Sequence, residues 1–238
     1  MILLSGGTGT PKLIDGLRTL LPDEEMTVIV NTGEDIWSSE VFISPDVDTV
    51  LYLFAGILDK TKWWGINGDT YNTFGQMKEL DRFEILMLGD RDRAVNLVRT
   101  GMLKKGLTLT RATAYLSESF GVRACILPMS NDVVTSMIQT PGGQMHFQEF
   151  WVTRKGKPAV LSFEYQGIEK ARLSPAAKAA LEREDCVIIG PSNPITSIGP
   201  ILALPGIKET LKTKKVIAVS PIIGNAPVSG PAGKLMAA

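Results

Sequence analysis

The chain has 238 residues, with 25 Lys plus Arg against 25 Asp plus Glu. This balance leaves no global basic field for nucleic acid, so any anion site must be built locally. Hydrophobic residues make up 44%, enough core for one large α/β domain or a domain with a subdomain.

The chain opens with the apolar run Ile2-Leu3-Leu4, followed by Ser5-Gly6-Gly7-Thr8-Gly9-Thr10-Pro11-Lys12-Leu13. An amphipathic stretch follows, so the opening reads as strand, glycine loop and helix. Pro11 suits the first turn of that helix, and free N–H groups at a helix start favour a phosphate. The loop lacks the Gly-Lys-Ser/Thr of a P-loop and the third glycine of a dinucleotide fingerprint. A tight turn without a ligand is the plain alternative.

Residues 26–30 form a continuous apolar strand that ends at Asn31-Thr32-Gly33-Glu34-Asp35. Such a run suits a parallel sheet covered on both faces. Polar residues just beyond it fall at the ligand-binding edge of an α/β sheet. Asn31, Thr32, Glu34 and Asp35 are therefore site candidates. Next, Ser44 or Asp46 is expected to cap a helix. Asp46 and Asp48 flank one residue, so one of them is free for a ligand hydroxyl or a divalent cation. Trp63 and Trp64 are expected to be packing aromatics, with stacking on a flat heterocycle as the sharper reading.

Gly89-Asp90-Arg91-Asp92-Arg93 opens another helix. Asp90 fits its N-cap, whereas two arginines at a helix start oppose its dipole. The cluster is either an anion site or a salt-bridge knot. A helix is expected over 107–120 with Thr110 as cap, then a strand over 122–127. From 133 to 165 the pattern alternates around Thr140-Pro141-Gly142-Gly143, the grammar of a hairpin. This β-rich insertion, a lid or dimer contact, carries His146, the single histidine. That residue is expected to be structural, and a histidine-rich metal site is excluded.

Helix–strand alternation resumes after 165. A helix over 174–184 leads to a buried strand over 185–190 and the loop Pro191-Ser192-Asn193-Pro194-Ile195-Thr196-Ser197. A further buried strand is expected over 214–219, ending in a polar loop over 220–232. Cys125 and Cys186 lack metal-type spacing and are expected to be buried thiols in a reducing compartment. The opening apolar run is too short for a signal peptide, and no run approaches the ~20 residues of a membrane span. A cytoplasmic protein with no membrane partner is expected.

The sum is a Rossmann-like α/β fold: a mostly parallel sheet flanked by helices, with a core over 1–132 and 166–238 and an insertion over 133–165. By itself it points to an enzyme that binds a nucleotide or sugar phosphate.

The motifs together resemble the 2-phospho-L-lactate transferase family of coenzyme F-420 biosynthesis. They are the glycine loop, Asn31-Thr32-Gly33-Glu34-Asp35, Ser44-Pro45-Asp46-Val47-Asp48-Thr49, Gly89-Asp90-Arg91-Asp92-Arg93, Gly190-Pro191-Ser192-Asn193-Pro194 and Ser220-Pro221-Ile222-Ile223-Gly224. The resemblance runs along essentially the whole chain. It implies transfer of phospholactate from lactyl-2-diphospho-5'-guanosine to the ribityl hydroxyl of 7,8-didemethyl-8-hydroxy-5-deazariboflavin, with release of GMP and help from Mg2+. Under it, Gly7, Thr8, Gly9, Thr10, Ser192, Asn193 and Ser197 hold guanosine diphosphate. Asp48, Arg91 and Asn31 meet the deazaflavin, with Arg93 as substitute for Arg91. Asp46 and Asp48 carry catalysis or the metal. It also implies a homodimer and a helical segment beyond residue 238. The competing expectations are a nucleotide-sugar-binding regulatory relative without transferase activity and, more weakly, an NAD-dependent oxidoreductase.

Overall fold

The structure is a computed structural model that describes residues 1–224, 226–227 and 231–237. Parts of the 220–232 loop, at Asn225 and 228–230, fall outside the described residues.

Strands β1 (Ile2–Ser5) and β2 (Thr27–Val30) are fully buried and joined through helix α1 (Gly9–Leu17). A hairpin of β3 (Ile36–Ser38) and β4 (Val41–Ile43) leads into α2 (Pro45–Phe54). Helices α3 (Asn72–Glu79), α4 (Asp90–Lys104) and α5 (Leu109–Ser119) precede β5 (Cys125–Pro128). The insertion contains β6 (Thr135–Thr140), β7 (Gly143–His146), a π-helical turn at Glu149–Thr153 and β8 (Ser162–Gln166). Helix α6 (Pro175–Arg183) and β9 (Cys186–Ile189) follow. After a π-helical turn at Pro194–Ile198 come α7 (Gly199–Ala203), α8 (Ile207–Lys212) and β10 (Lys215–Ala218). The described chain closes with the short pair β11 (Ile222–Ile223) and β12 (Ala226–Pro227) and with α9 (Ala232–Met236).

The main sheet has the order β10-β9-β1-β2-β5, every pair parallel. Pleating sends alternate residues to opposite faces. Leu3, Val28, Val30 and Ile126 pack with Ile14, Val47, Leu51 and Leu116 from the helices of one face. Ile2, Leu4, Ile29 and Leu127 pack with Ala177, Leu181, Ile201 and Ile207 on the other. Two covered faces account for the unbroken apolar runs of β1 and β2. The chain leaves β1 toward β2 on one side, while β9 pairs with its other side. The crevice beyond β1 and β9 is thus the switch point where such sheets bind ligands.

The insertion is an antiparallel sheet in the order β7-β6-β8, with the turn at Pro141 and Gly142. It is anchored on the core by Gln148 Nε2, which donates to Glu34 Oε2 at 2.9 Å.

Three expectations need correction. Strand β10 is exposed along its length, because it is the outermost strand and pairs only with β9. Cys125 is exposed and Cys186 half-buried, because each opens a strand at the sheet's N-terminal edge. Helix α5 is capped by Thr108, whose hydroxyl accepts from Arg111 N at 3.3 Å. Thr110 instead bonds to Asn131 through its own amide and hydroxyl.

Candidate active site

Two loops, after β1 and β9, interlock at the switch point. Ser192 Oγ accepts from the backbone N–H of Gly6 at 3.1 Å and of Thr10 at 3.0 Å, and pairs with Thr10 Oγ1 at 2.7 Å. The approach is close enough to demand glycine. A Cβ on Gly9 would overlap the Pro191 carbonyl, and one on Gly190 would overlap the Thr10 side chain. Asn193 Oδ1 accepts from Ile195 N at 2.9 Å and caps the following turn.

A cavity of about 540 Å³ opens beside these loops. Gly7, Thr8, Gly9, Pro191, Ser192, Asn193 and Ser197 form one part of its wall. Asp46, Asp48, Thr49 and Tyr52 from α2 form another. Asp46 packs against Gly7, where a Cβ would strike its carboxylate. Asn31 Nδ2 donates to Asp46 Oδ2 at 2.9 Å and to Thr196 O at 3.1 Å, tying α2 to the β9 loop. Both Asp48 oxygens pair with the guanidinium of Arg99, with Nη1 3.1 Å from Oδ2. Neither aspartate caps α2, and the Ser44 hydroxyl donates to Asp35 Oδ1 at 2.7 Å.

The remaining wall is largely apolar, including Ile43, Trp64, Leu86, Met87, Leu88, Phe147, Trp151 and Val152. Phe147, Gln148, Trp151 and Val152 bring the insertion into the site. His146 holds that segment: Nδ1 accepts from Gln148 N at 3.0 Å, so Nε2 carries the proton and donates to Asp35 O at 3.2 Å.

The chain matches the family described as 2-phospho-L-lactate transferase CofD over residues 1–238. It belongs to the CofD family. It is 58% identical to the 2-phospho-L-lactate transferase of Methanosarcina mazei over 100% of its own length and 78% of that protein's. It is 49% identical to the enzyme of the same name from Methanocaldococcus jannaschii, over 99% and 77%. Among solved structures, a Bacillus halodurans protein of the UPF0052 family superposes with a TM-score of 0.64 at 22% identity, covering 90% of this chain and 66% of the other. That likeness concerns the fold alone. The chain is thus a transferase of the CofD family, and no helix among its described residues is long and apolar enough to cross a membrane.

Within this CofD-family site, Gly7, Thr8, Gly9, Ser192, Asn193, Ser197, Asp46 and Asp48 line the cavity. Thr10 and Asn31 stand behind the wall, wholly buried, and act through Ser192 and Asp46. Arg91 and Arg93 do not line it. Arg91 is exposed, and its guanidinium makes a long 3.5 Å contact to Asn67 O. Arg93 is buried in an ion pair with Glu84, at 2.6 and 3.0 Å. Asp90 does not cap its own helix. It accepts from Asn72 N and Thr73 N at the start of α3, while Asp69 accepts from Arg91 N and Asp92 N at the start of α4. This exchange of caps explains the charge cluster without an external anion. Trp63 packs on the core, and Trp64 forms part of the cavity rim.

The electrostatics are lopsided. Glu34, Asp46, Asp48 and Asp92 line the cavity, and Lys62 is the one basic side chain among its described lining residues. Burial pushes the Asp46 carboxyl up to about 7, against the pull of the Asn31 amide and the Gly7 N–H. Burial, aided by the Asp46 charge, drives Glu34 well above its ordinary range. Burial and the Asp48 charge raise Asp92 to about 6. Asp48 is also raised by burial, with Arg99 opposing.

Magnesium fits this acidic wall in one manner. Among the described residues no three acidic, histidine or cysteine side chains converge as a metal cage. Magnesium commonly takes one or two carboxylates and completes its shell with substrate phosphates and water. Asp46 has no cationic partner among the described ion pairs and is the better placed ligand. Asp48 would share its oxygens with Arg99.

Sequence reasoning missed Arg99, Gln148 and Trp151. Arg99 lies in mid-helix among ordinary residues. Gln148 and Trp151 follow a hairpin whose docking edge no local pattern marks.

Proposed function

We propose that this protein transfers the phospholactyl group of lactyl-2-diphospho-5'-guanosine to the ribityl hydroxyl of 7,8-didemethyl-8-hydroxy-5-deazariboflavin. The observation that carries the reading is the composition of one cavity. It joins a glycine loop at a helix start, a fixed carboxylate and an aromatic, apolar wall.

Each part matches a demand of the substrates. The N–H groups of Thr8 and Gly9 have no protein acceptor among the described residues, and the start of α1 favours phosphate oxygens. Ser192 keeps this loop in shape, and Asn193 and Ser197 offer polar groups to the nucleotide. Trp64, Met87, Phe147 and Trp151 provide apolar surface for a flat ring. Arg91 is left out of the acceptor site, because it does not line the cavity. Asn31 acts on the acceptor only through Asp46.

In the reaction, the ribityl oxygen attacks the phosphorus that carries lactate. The bond from that phosphorus to the bridging oxygen breaks, and GMP leaves with the bridging oxygen. The hydroxyl proton passes to a carboxylate of the site and then to solvent. Asp48 accepts the hydroxyl's hydrogen bond, aims it and takes its proton. Bound Mg2+ would offset the charge of the diphosphate, with Asp46 as its carboxylate ligand. No covalent nucleophile is required, since phosphoryl transfer relies on positioning and charge stabilisation.

The test is turnover with both substrates. Asp48→Asn should lower kcat by about 100-fold or more while guanosine diphosphate still binds. Turnover near the wild-type rate would remove Asp48 from the mechanism.

A further inference from the structure

We propose that Arg99 is a positioning residue for the transfer, clamping the Asp48 carboxylate in one orientation at the cavity wall. This rests on the reading of Asp48 as the group that aims the acceptor hydroxyl.

A lone carboxylate on the first turn of a helix can rotate about its terminal bond. Asp48 is denied that freedom. Both of its oxygens meet the planar fork of Arg99, a geometry that fixes direction as well as distance. Arg99 is completely buried and does not line the cavity. Any effect it has on substrate therefore passes through its partners, directly through Asp48 and more remotely through Asn96 and Asp92.

The clamp is itself clamped. Arg99 Nη1 also donates to Asn96 Oδ1 at 2.5 Å. Asn96 Nδ2 donates to Asp92 O at 2.9 Å and Asp92 Oδ1 at 3.0 Å. The Tyr52 hydroxyl donates to the same Asp92 oxygen at 2.7 Å. Tyr52 lies one turn beyond Asp48 on α2, and Asp92, Asn96 and Arg99 follow a single stripe of α4. The hydrogen bonds thus run in a chain from Tyr52 to Asp48 across two helices, and one turn of α2 closes that chain into a ring. Each of the five residues is at most 7% exposed.

Stability alone is a weak reason for such a ring, since well-packed apolar side chains serve a helix interface as well as a buried ion pair. What the ring adds is a carboxylate of fixed direction. A transfer that depends on positioning needs that feature, and small misplacements are costly.

The experiment compares Arg99→Lys, Asp48→Asn and the double variant in the full chain. Lysine retains the charge and loses the fork. Arg99→Lys is expected to lower kcat by about 100-fold, with guanosine diphosphate affinity unchanged. The double variant should be no slower than Asp48→Asn alone, because the two residues act as one unit. A purely structural role predicts instead that nucleotide binding falls with activity and that the losses multiply in the double variant. Wild-type kcat in Arg99→Lys, or multiplied losses, would overturn the proposal. Should Arg99→Lys not fold, Asn96→Ala decides: reduced kcat with intact nucleotide binding supports the clamp, and unchanged kcat overturns it. Asp48→Asn at full turnover would overturn the role of Asp48 itself. A crippled Asp48→Asn beside an intact Arg99→Lys would overturn the clamp alone.

Discussion

The Ser192 hydroxyl lies 2.7 Å from that of Thr10, and the same oxygen takes the amide protons of Thr10 and Gly6. One side chain from the β9 loop thus supports the bend after β1, although 182 residues separate Ser192 from Thr10. Ser192→Ala leaves two buried N–H groups without an acceptor, a loss of about 2 kcal/mol. In a chain of this size the melting temperature should fall by about 6 °C, with a parallel loss of guanosine diphosphate affinity in a calorimetric titration. An unchanged melting temperature would show that the loops hold without this contact.

Gly9→Ala tests the same interlock by crowding. The new methyl meets the Pro191 carbonyl, so the loops must part. Nucleotide affinity should drop while deazaflavin affinity changes less, as read by two separate titrations. Equal loss of both would mean that the substitution disrupts the whole cavity.

Asp46 gives the protein a pH signature. Its carboxyl rises from 3.8 in the unfolded chain to about 7 in the fold, so the folded state favours the protonated form. The associated stability is complete below about pH 4 and disappears as pH climbs to about 7. A shift of ~3 units sets an upper bound of ~4 kcal/mol. Asp46→Asn should therefore raise the melting temperature at pH 8 and leave it nearly unchanged at pH 4. Magnesium should stabilise the wild type at pH 8 more than this variant. Identical responses to pH in both proteins would place Asp46 in better contact with solvent.

Arg91 and Arg93 should part company. Arg91→Ala should leave stability within about 0.5 kcal/mol and deazaflavin affinity unchanged. Glu84→Gln strips Arg93 of its buried counter-charge and should cost about 3 kcal/mol in a denaturant titration. A loss of deazaflavin binding in Arg91→Ala would restore that residue to the acceptor site.

These two arginines also show where the sequence misleads. Cations at a helix start conflict with its dipole, and spacing alone leaves both an anion site and a salt-bridge knot open. The fold supplies carboxylates from neighbouring elements: Asp69 accepts from the first N–H groups of α4, and Glu84 pairs with Arg93. Local spacing cannot reveal partners that tertiary packing supplies. Arg99 escaped for the same reason, since only the crossing of α2 and α4 joins it to Asp48. The glycine loop, the Asp46 and Asp48 pair and the loop after β9 were readable, because strand ends in a parallel sheet gather at one edge whatever lies between them. β10 was misread because an apolar run indicates a strand but not the covering of its faces.

The most direct test of the account is a titration of the deazaflavin acceptor, followed by its own fluorescence, with guanosine diphosphate and magnesium present. Saturable binding that Asp48→Asn weakens is the predicted result, placing acceptor and nucleotide in the one cavity. Tight binding of guanosine diphosphate with no deazaflavin response would contradict the proposed transfer.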